Sequence, residues 1–282
     1  MSVESLFSGY PMVAAMTVLY AAALAVSAPA AIKQRKVLSR LGLYILIAAF
    51  VFNTLIIASR WIEAGRPPFK TMYETLIFYP WCVSVVTLAL VYLHRLTVLI
   101  PFAAGISVIG LAYALFRPDV EIISLPPALQ SGWFVPHVVI YFVAYAGLFA
   151  SFALAALALA YPYWKRRRAS DEAAGDEGGG ADFEKYAHQA AVFGIAALTL
   201  GLVMGAVWGK VAWGDYWSWD PKENWALVTW LAYIIYLHLR LTGEWRRRRA
   251  MWILVIAFGA VVFTYLGMNL LPGAQSSLHV YQ

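Results

Sequence analysis

Apolar residues form long runs along this chain, and short polar or basic stretches separate them. About twenty apolar residues are needed to cross a bilayer as a helix, and eight runs are long enough for one crossing each. These runs cover residues 10–32, 41–61, 72–93, 96–116, 137–164, 187–208, 223–241 and 250–271. The pattern predicts an all-α, polytopic helical bundle with about eight transmembrane helices, formed as a single membrane domain over residues 1–282.

The composition supports this prediction, because 62% of the residues are hydrophobic and 13% are charged. A soluble domain carries about 25% charged residues, so a soluble globule is excluded. The net charge of +6 comes from basic clusters between the apolar runs, and we therefore expect no nucleic acid partner. Cys82 is the one cysteine, so the chain has no internal disulfide, and thiol chemistry must come from a partner.

The basic residues also predict the orientation in the membrane, since lysine and arginine accumulate on the cytoplasmic side. If the first residue lies outside, the cytoplasmic segments hold fifteen of them and the outer segments hold six. We therefore expect both termini outside. A cleaved signal peptide is the alternative for the first run, because AVSAPAA contains small residues, although no basic residue precedes the run.

Two connections between the predicted helices stand out. Residues 165–186, KRRRASDEAAGDEGGGADFEKY, are charged and glycine-rich and are expected to form a flexible cytoplasmic loop. Residues 209–224 form the expected outer loop between the sixth and seventh helices, and six of the twelve tryptophans lie between Trp208 and Trp230. An interfacial aromatic belt is one explanation, but a belt recurs at many helix ends and this cluster occupies one.

The densest part of the cluster is WGDYWSWDPKENWAL, residues 213–227. Rigid indole rings stack on a large, flat, apolar ligand with little loss of entropy, and a porphyrin is such a ligand. The polar residues also have a structural interpretation. Asp220, Pro221 and Glu223 fit an N-cap, a proline at the first helical position and a capping box. Asp220 is therefore either a helix cap alone or a cap that also orients the tryptophans before it.

A haem iron needs axial ligands, and histidine is a common one. His137 opens the fifth predicted helix, and His279 follows the eighth. An even number of crossings separates each of them from the tryptophan cluster, which predicts that all three lie on one side of the membrane in either orientation. Each histidine taken alone is more simply an interface or tail residue. Their shared side is what favours a pair of axial ligands.

His238 lies inside the seventh predicted helix, fifteen residues after Glu223 and hence about 22 Å deeper. An ionisable group within a membrane segment is a functional candidate that faces the bundle interior. The alternative is that His238 extends to the cytoplasmic headgroups beside Arg240. His94 and His188 lie at cytoplasmic helix ends and are expected to be interfacial.

The tryptophan segment closely resembles the signature of the haem-handling superfamily of cytochrome c maturation proteins. Its ending, DPKENWAL, resembles the CcsA/ResC branch of System II more than the CcmC or CcmF branches of System I. Three other segments agree with that branch: RWIEAGRPPFKTMYETLIF, PPALQSGWFVPH and WLAYIIYLHLR. The resemblance therefore covers nearly the whole chain.

The resemblance implies a role for each candidate residue. His137 and His279 match two outer histidines that ligate haem iron, although the tail SSLHVY departs from the commoner glycine-histidine-serine-tyrosine order. His238 matches a histidine that holds haem within the membrane on its way out. The other matches form the tryptophan signature itself: Trp213, Tyr216, Trp217, Trp219 and Asp220.

The family further implies haem b as a transient substrate, a CcsB/ResB-type membrane partner, apocytochrome c and a thiol-reducing partner. The expected function is to carry haem across the membrane and present it for covalent attachment to apocytochrome c, as a membrane subunit of a haem-lyase complex. No residue of the chain is expected to act as acid, base or nucleophile. Lys210 and Lys222 either pair with the haem propionates or stay solvated.

Two other functions remain open at this point. A haem exporter without attachment activity needs the same sites, and a scaffold that binds proteins through the tryptophans needs no haem. The expected location is the cytoplasmic membrane, with the tryptophan cluster on the outer side. A thylakoid membrane is the alternative.

Overall fold

A computed structural model describes residues 10–168, 179–243 and 248–267 of the chain. Over these ranges there are eight α-helices, two short 3₁₀ turns and no β-strand, so the all-α prediction is confirmed. The helices are α1 (Tyr10–Lys33), α2 (Lys36–Ala64), α3 (Met72–His94), α4 (Ile100–Leu115), α5 (Phe134–Arg168), α6 (Gly179–Trp213), α7 (Pro221–Leu241) and α8 (Arg248–Tyr265). The 3₁₀ turns are Thr97–Leu99 and Pro127–Leu129.

Seven of these helices are long and apolar enough to cross a membrane, α4 together with the 3₁₀ turn that precedes it. The chain is therefore a multi-span membrane protein. Among the described helices, α7 lies outside this group, because tyrosine, tryptophan, His238 and Arg240 interrupt its aliphatic residues. Each of the eight predicted runs overlaps a helix, although α8 ends at Tyr265 and residues 268–271 of the eighth run lie outside the described ranges. The crossing by α7 and the outer position of both termini stay predictions.

The predicted loop at residues 165–186 is shorter than expected. α5 continues to Arg168 and α6 begins at Gly179, so the segment is helical at both ends. The remaining residues, 169–178, lie outside the described ranges. The apolar pattern stops where a helix enters water, but the helix does not have to stop there. Basic residues at the end of α5 also suit a helix C-terminus, where the backbone dipole favours positive charge.

The predicted outer connection at residues 209–224 is likewise shorter. α6 continues to Trp213 and α7 begins at Pro221, which leaves residues 214–220 as the connection. The tryptophan cluster therefore lies on a short segment between two helix ends, and both helices restrict its conformation.

Contacts divide the chain into two compact units, and the division falls within α5 between Val138 and Val139. The first unit here means the described residues up to Val138, and the second unit means those from Val139 onward. The formation of a single membrane domain over residues 1–282 stays a prediction.

In the first unit, polar side chains join three helices inside an apolar core. The hydroxyl groups of Tyr20 in α1 and Ser84 in α3 lie 3.0 Å apart, and Asn53 Nδ2 of α2 donates to the Tyr20 hydroxyl at 3.4 Å. α1 and α2 also approach closely, because a Cβ at Gly42 would lie 2.9 Å from Ser27 Cβ. Small residues allow such approaches, and interhelical hydrogen bonds hold helices together where water is absent.

In the second unit, α5 packs against α6 and α8. A Cβ at Gly194 of α6 would lie 2.6 Å from Leu148 Cδ2 of α5, so the two helices meet at a position with no room for a side chain. On α8, the ring of Phe258 stacks on Phe152 of α5 at 4.8 Å between centroids. These contacts fix three helices as the frame for α7.

Aromatic contacts show which ends of these helices lie together within the second unit. The ring centroid of Phe142 in α5 lies 5.5 Å from that of Tyr265, the last residue of α8. The ring centroid of Trp225, in the second turn of α7, lies 4.2 Å from that of Phe263 in α8. The start of α7, the end of α8 and the Phe142 turn of α5 therefore share one end of this unit. Residues 214–220 are at the same end because they lead directly into α7.

Candidate functional site

Residues 213–220, which link α6 to α7, are here called the Trp loop. Its first indole is anchored, since the Trp213 ring lies 4.8 Å from the buried Trp208 ring. Two glycines then allow a tight path. Gly214 has a φ of +91°, and a Cβ at Gly209 would lie 3.1 Å from the carbonyl oxygen of Asp215. The loop therefore folds back onto the end of α6.

Two rings of the Trp loop face outward. Tyr216 is 61% exposed and Trp219 is 70% exposed. Trp217 is half-buried and meets Trp219 edge to face, with 6.1 Å between ring centroids and an angle of 86°. Two exposed aromatic rings on this loop fit either an interfacial aromatic position or a surface that binds a flat ligand.

Lys210 holds the first half of the Trp loop. Its Nζ donates to the Gly214 carbonyl oxygen and lies 5.5 Å from the centroid of the Tyr216 ring. A cation at this position satisfies a free carbonyl at the end of α6 and contacts an aromatic face. This lysine therefore supports the loop, whether or not it also meets a propionate.

The predicted start of α7 is confirmed in detail. Asp220 is the N-cap and Pro221 is the first helical residue. The Asp220 carboxylate accepts a hydrogen bond from the Lys222 N–H at 2.8 Å, and Glu223 accepts one from the Asp220 N–H at 3.1 Å. Asp220 is buried, so its carboxylate is directed at the first turn of the helix. Asp220 therefore serves as a helix cap, as both of its predicted interpretations required.

The backbone at Trp219 has a positive φ of +60°, which is uncommon for a large side chain. Ser218 and Asn224 contribute to holding it there. The Ser218 N–H donates to Glu223 Oε2 at 2.9 Å, and Asn224 Nδ2 donates to the Trp219 carbonyl oxygen at 3.0 Å. Sequence reasoning did not find these contacts. The capping motif indicated Glu223, but no local pattern indicated that Asn224 would reach back to the loop.

His137 lies in the first turn of α5, as predicted, and its N–H donates to the Trp133 carbonyl oxygen at 3.1 Å. Its side chain is half-buried. His137 belongs to the first unit and the Trp loop to the second. His279 lies outside the described residues. The meeting of the two histidines at the tryptophans therefore stays a prediction.

His238 is exposed on α7, and it does not pack in the core of the second unit. Tyr236, two positions earlier, is fully buried, and its hydroxyl lies 3.0 Å from His188 Nδ1 of α6. Positions two apart point to nearly opposite sides of a helix. The inward-facing polar residue of α7 at this level is therefore Tyr236. The sequence did not reveal this pair, because it depends on how α6 and α7 pack.

A buried charge cluster lies in the first unit, within the segment RWIEAGRPPFKTMYETLIF. Arg66 makes two hydrogen bonds to the Glu74 carboxylate, both 3.1 Å long, and Arg60 Nε makes a third at 3.2 Å. All three side chains are buried. Glu74 also forms a capping box with Thr71 at the start of α3. Two cations and one anion thus meet inside the protein, where charges are stable only when paired.

This cluster fastens the connection between α4 and α5. Arg60 donates to the Val120 carbonyl oxygen at 2.6 Å, and Arg66 donates to that of Ile123 at 3.0 Å. Farther back, the Tyr73 N–H donates to Asp119 at 3.2 Å. The connection that leads toward His137 is therefore bonded to the start of α3. Sequence reasoning used this segment as a family resemblance and did not predict the cluster.

Comparison with known proteins gives the chain a family. The model of the family described as Cytochrome C assembly protein matches residues 69–274. The cytochrome c biogenesis protein CcsA of Chlamydomonas reinhardtii is 36% identical in an alignment of 235 positions that covers 80% of this chain and 64% of that protein. The protein of the same name from Guillardia theta is 34% identical in an alignment of 260 positions that covers 83% of each chain.

A solved structure has the same fold. The cytochrome c haem lyase CcmF matches this chain with a TM-score of 0.68 and 17% sequence identity, over 93% of this chain and 46% of CcmF. At that identity the similarity concerns the fold alone. The sequence relatives are closer, and they extend over most of the chain. The chain therefore belongs to the cytochrome c assembly protein family, and within it to the CcsA-type cytochrome c biogenesis proteins.

Proposed function

We propose that this chain, whose family has a role in cytochrome c maturation, handles haem b for that process. It carries haem across the membrane and presents it at the Trp loop on the outer side, where apocytochrome c receives it covalently. The membrane in question is the cytoplasmic membrane, or the thylakoid membrane in a photosynthetic host. The chain spans 64% of the length of the Chlamydomonas CcsA. We therefore propose, for this chain, the activity that belongs to the longer relative.

The observation that carries the proposal is the exposure of rigid rings on a braced loop. Tyr216 and Trp219 are largely exposed, while Trp213 is anchored on a buried ring and the cap at Asp220 fixes the far end. Porphyrin is wide, flat and apolar, and aromatic faces bind such a ring well. A loop that is rigid before binding loses little entropy when haem arrives.

His137 and His279 are proposed as the axial ligands of the haem iron at this site. Support comes from the even number of crossings between each histidine and the Trp loop, and from the family resemblance. The side assigned to His279 depends on the crossing by α7.

His238 is proposed to hold haem within the membrane before it reaches the Trp loop. Its exposed side chain shares a face of α7 with Leu231 and Ile235, which are 43% and 54% exposed. An imidazole on an apolar outer face is available to a second membrane protein. A CcsB/ResB-type partner is therefore proposed to cover this face and supply the opposite ligand.

The chemistry at the Trp loop needs positioning more than catalysis by side chains. Each cysteine thiol of apocytochrome c adds across one vinyl group of haem, so the sulfur bonds to one vinyl carbon and the proton ends on the other. No oxidant is consumed, although the thiols must first be reduced by a separate partner. Holding the vinyl groups beside the thiols raises their effective concentration. Asp220 and Glu223 are engaged in the helix cap, and the proposal gives neither of them a role as acid or base.

Reconstitution tests the proposal. The chain is purified with its CcsB/ResB-type partner, and haem and reduced apocytochrome c are added. We expect covalent cytochrome c, detected by haem staining after denaturing electrophoresis, and a loss of about tenfold or more for the double variant Tyr216→Ala/Trp219→Ala. Trp252→Ala is the matched control, since Trp252 is a half-exposed tryptophan of α8 outside the Trp loop.

The other outcomes identify the alternatives. A haem exporter would contain haem and yet give no covalent product. A scaffold would be colourless after purification. A double variant as active as the wild type would contradict the role of the Trp loop.

A further inference from the structure

Trp219 keeps a backbone conformation that its side chain disfavours. Its φ of +60° lies in the left-handed region, which glycine adopts readily and bulky residues avoid. The indole is 70% exposed, so burial of the ring gains little stability in return. A glycine at this position would make the same turn without strain. The ring must therefore serve a purpose other than forming the turn.

Two side chains from the first turns of α7 hold the peptide groups around Trp219. The Glu223 carboxylate accepts hydrogen bonds from the Ser218 N–H at 2.9 Å and from the Asp220 N–H at 3.1 Å. Asn224 Nδ2 donates to the Trp219 carbonyl oxygen at 3.0 Å. Two peptide groups beside Trp219 are thus held from α7: the one that joins Trp217 to Ser218 and the one that joins Trp219 to Asp220.

The start of α7 requires fewer contacts than these. A capping box consists of the side-chain bond made by the N-cap residue and the return bond to its own N–H, and Asp220 and Glu223 supply both. The bonds to Ser218 and to the Trp219 carbonyl oxygen lie outside the helix. The bond to Ser218 acts on the Trp loop alone, and the bond from Asn224 adds a second contact to the peptide group that the capping box holds through the Asp220 N–H. These additional bonds hold the Trp loop and are not needed to begin the helix.

We propose that Glu223 and Asn224 are positioning residues that fix the Trp219 indole outside the loop, where it meets one face of the porphyrin. The proposal rests on the proposed haem-handling function. Neither residue touches haem. They act through Trp219, because an indole already held in its binding orientation loses little conformational freedom when haem arrives.

A double-variant cycle tests this inference. The complex with the CcsB/ResB-type partner carries Glu223→Ala, Asn224→Ala, Trp219→Gly, or each of the first two combined with Trp219→Gly. The measurement is the rate at which haem leaves the complex for an apomyoglobin acceptor, beside the melting temperature. Glu223→Gln is the conservative variant, since its amide oxygen still accepts the backbone hydrogen bonds. Glu63→Ala is the control, because Glu63 is an exposed glutamate of α2.

We expect each single variant to release haem about tenfold faster, Glu223→Gln to restore the slow rate, and Glu63→Ala to change nothing. Trp219→Gly should keep the wild-type melting temperature, because glycine suits the positive φ. Each combined variant should release haem no faster than Trp219→Gly alone, since residues that act through one ring are not additive.

Additive effects would overturn the inference, because Glu223 and Asn224 would then act independently of Trp219. Wild-type retention of haem in Trp219→Gly would also overturn it. If Glu223→Ala fails to fold, the cycle with Asn224→Ala decides alone by the same criteria. A wild-type complex that holds no haem would overturn the proposed function and this inference together, whereas additivity in a haem-loaded complex would overturn the inference alone.

Discussion

Two connections in this molecule begin the next helix in the same way and then use their side chains differently. In the first unit, Thr71 and Glu74 form a capping box at the start of α3, and in the second unit Asp220 and Glu223 form one at the start of α7. Glu74 is buried and paired with two arginines. Glu223 is half-buried and accepts hydrogen bonds from the peptide and hydroxyl groups of Ser218.

One local motif therefore serves two purposes, which depend on the residues that surround the glutamate. Around Glu74 the charges are buried, and the neighbouring connection is bonded to the cluster. The Glu223 carboxylate accepts hydrogen bonds from backbone N–H groups, and the nearby rings of Tyr216 and Trp219 are exposed. We therefore expect the first arrangement to stabilise the fold, and under the proposed function the second holds the rings for haem.

The largest expected effect is at Glu74. Glu74→Ala leaves Arg60 and Arg66 buried without their carboxylate, and we expect a loss of about 3–5 kcal/mol of unfolding free energy. Denaturant unfolding of the purified protein in detergent measures it, with Glu63→Ala as the exposed control. A loss equal to that of the control would show that the cluster does not support the first unit.

A smaller effect is expected at Glu223. Glu223→Ala removes hydrogen bonds in a partly solvated loop, and the expected loss is about 1 kcal/mol. The same unfolding assay, run beside Glu74→Ala, measures the contrast. Equal losses for the two variants would erase the distinction between a stabilising connection and a presenting one.

The smallest expected effect is the loss of stability at low pH when Asp119 becomes protonated. Burial by itself raises the pKa of Asp119, but hydrogen bonds from Arg117 and from the Tyr73 N–H outweigh it, so its pKa lies below the ordinary value. Its stabilisation is therefore complete above the unfolded pKa of about 3.9 and is lost as the pH falls through the folded pKa. Unfolding at pH 5 and at pH 3 should show up to about 1 kcal/mol more loss in the wild type than in Asp119→Asn. Equal losses would contradict the assignment.

The sequence predicted the helices well because a membrane-spanning helix needs a long run of apolar residues, and each of the eight runs overlaps a helix. It misplaced the ends at Arg168, Gly179 and Trp213, since those helices continue beyond the apolar run. The cap at Asp220 was predictable because capping depends on residues three positions apart. For α7, the apolar run predicted a crossing that its composition supports less strongly than in the other helices.

Other parts of the candidate site could not be predicted, because they depend on contacts between distant residues. Arg60 and Glu74 are fourteen positions apart, and His188 and Tyr236 are forty-eight apart. The positive φ of Trp219 has no sequence signal either, since glycine is the residue that normally marks it. Sequence patterns report on burial and local geometry, whereas these features arise from tertiary packing.

The central claim is that the exposed rings of the Trp loop and two histidines hold one haem. The most direct measurement is the absorption spectrum of the purified complex with its partner, recorded for the wild type, His137→Ala and His279→Ala. His94→Ala is the control, since His94 is the last residue of α3 and is expected at the cytoplasmic end of that helix. We predict a six-coordinate, low-spin spectrum in the wild type and the control, and altered axial ligation in both of the other variants. Unchanged ligation in both His137→Ala and His279→Ala would contradict the claim.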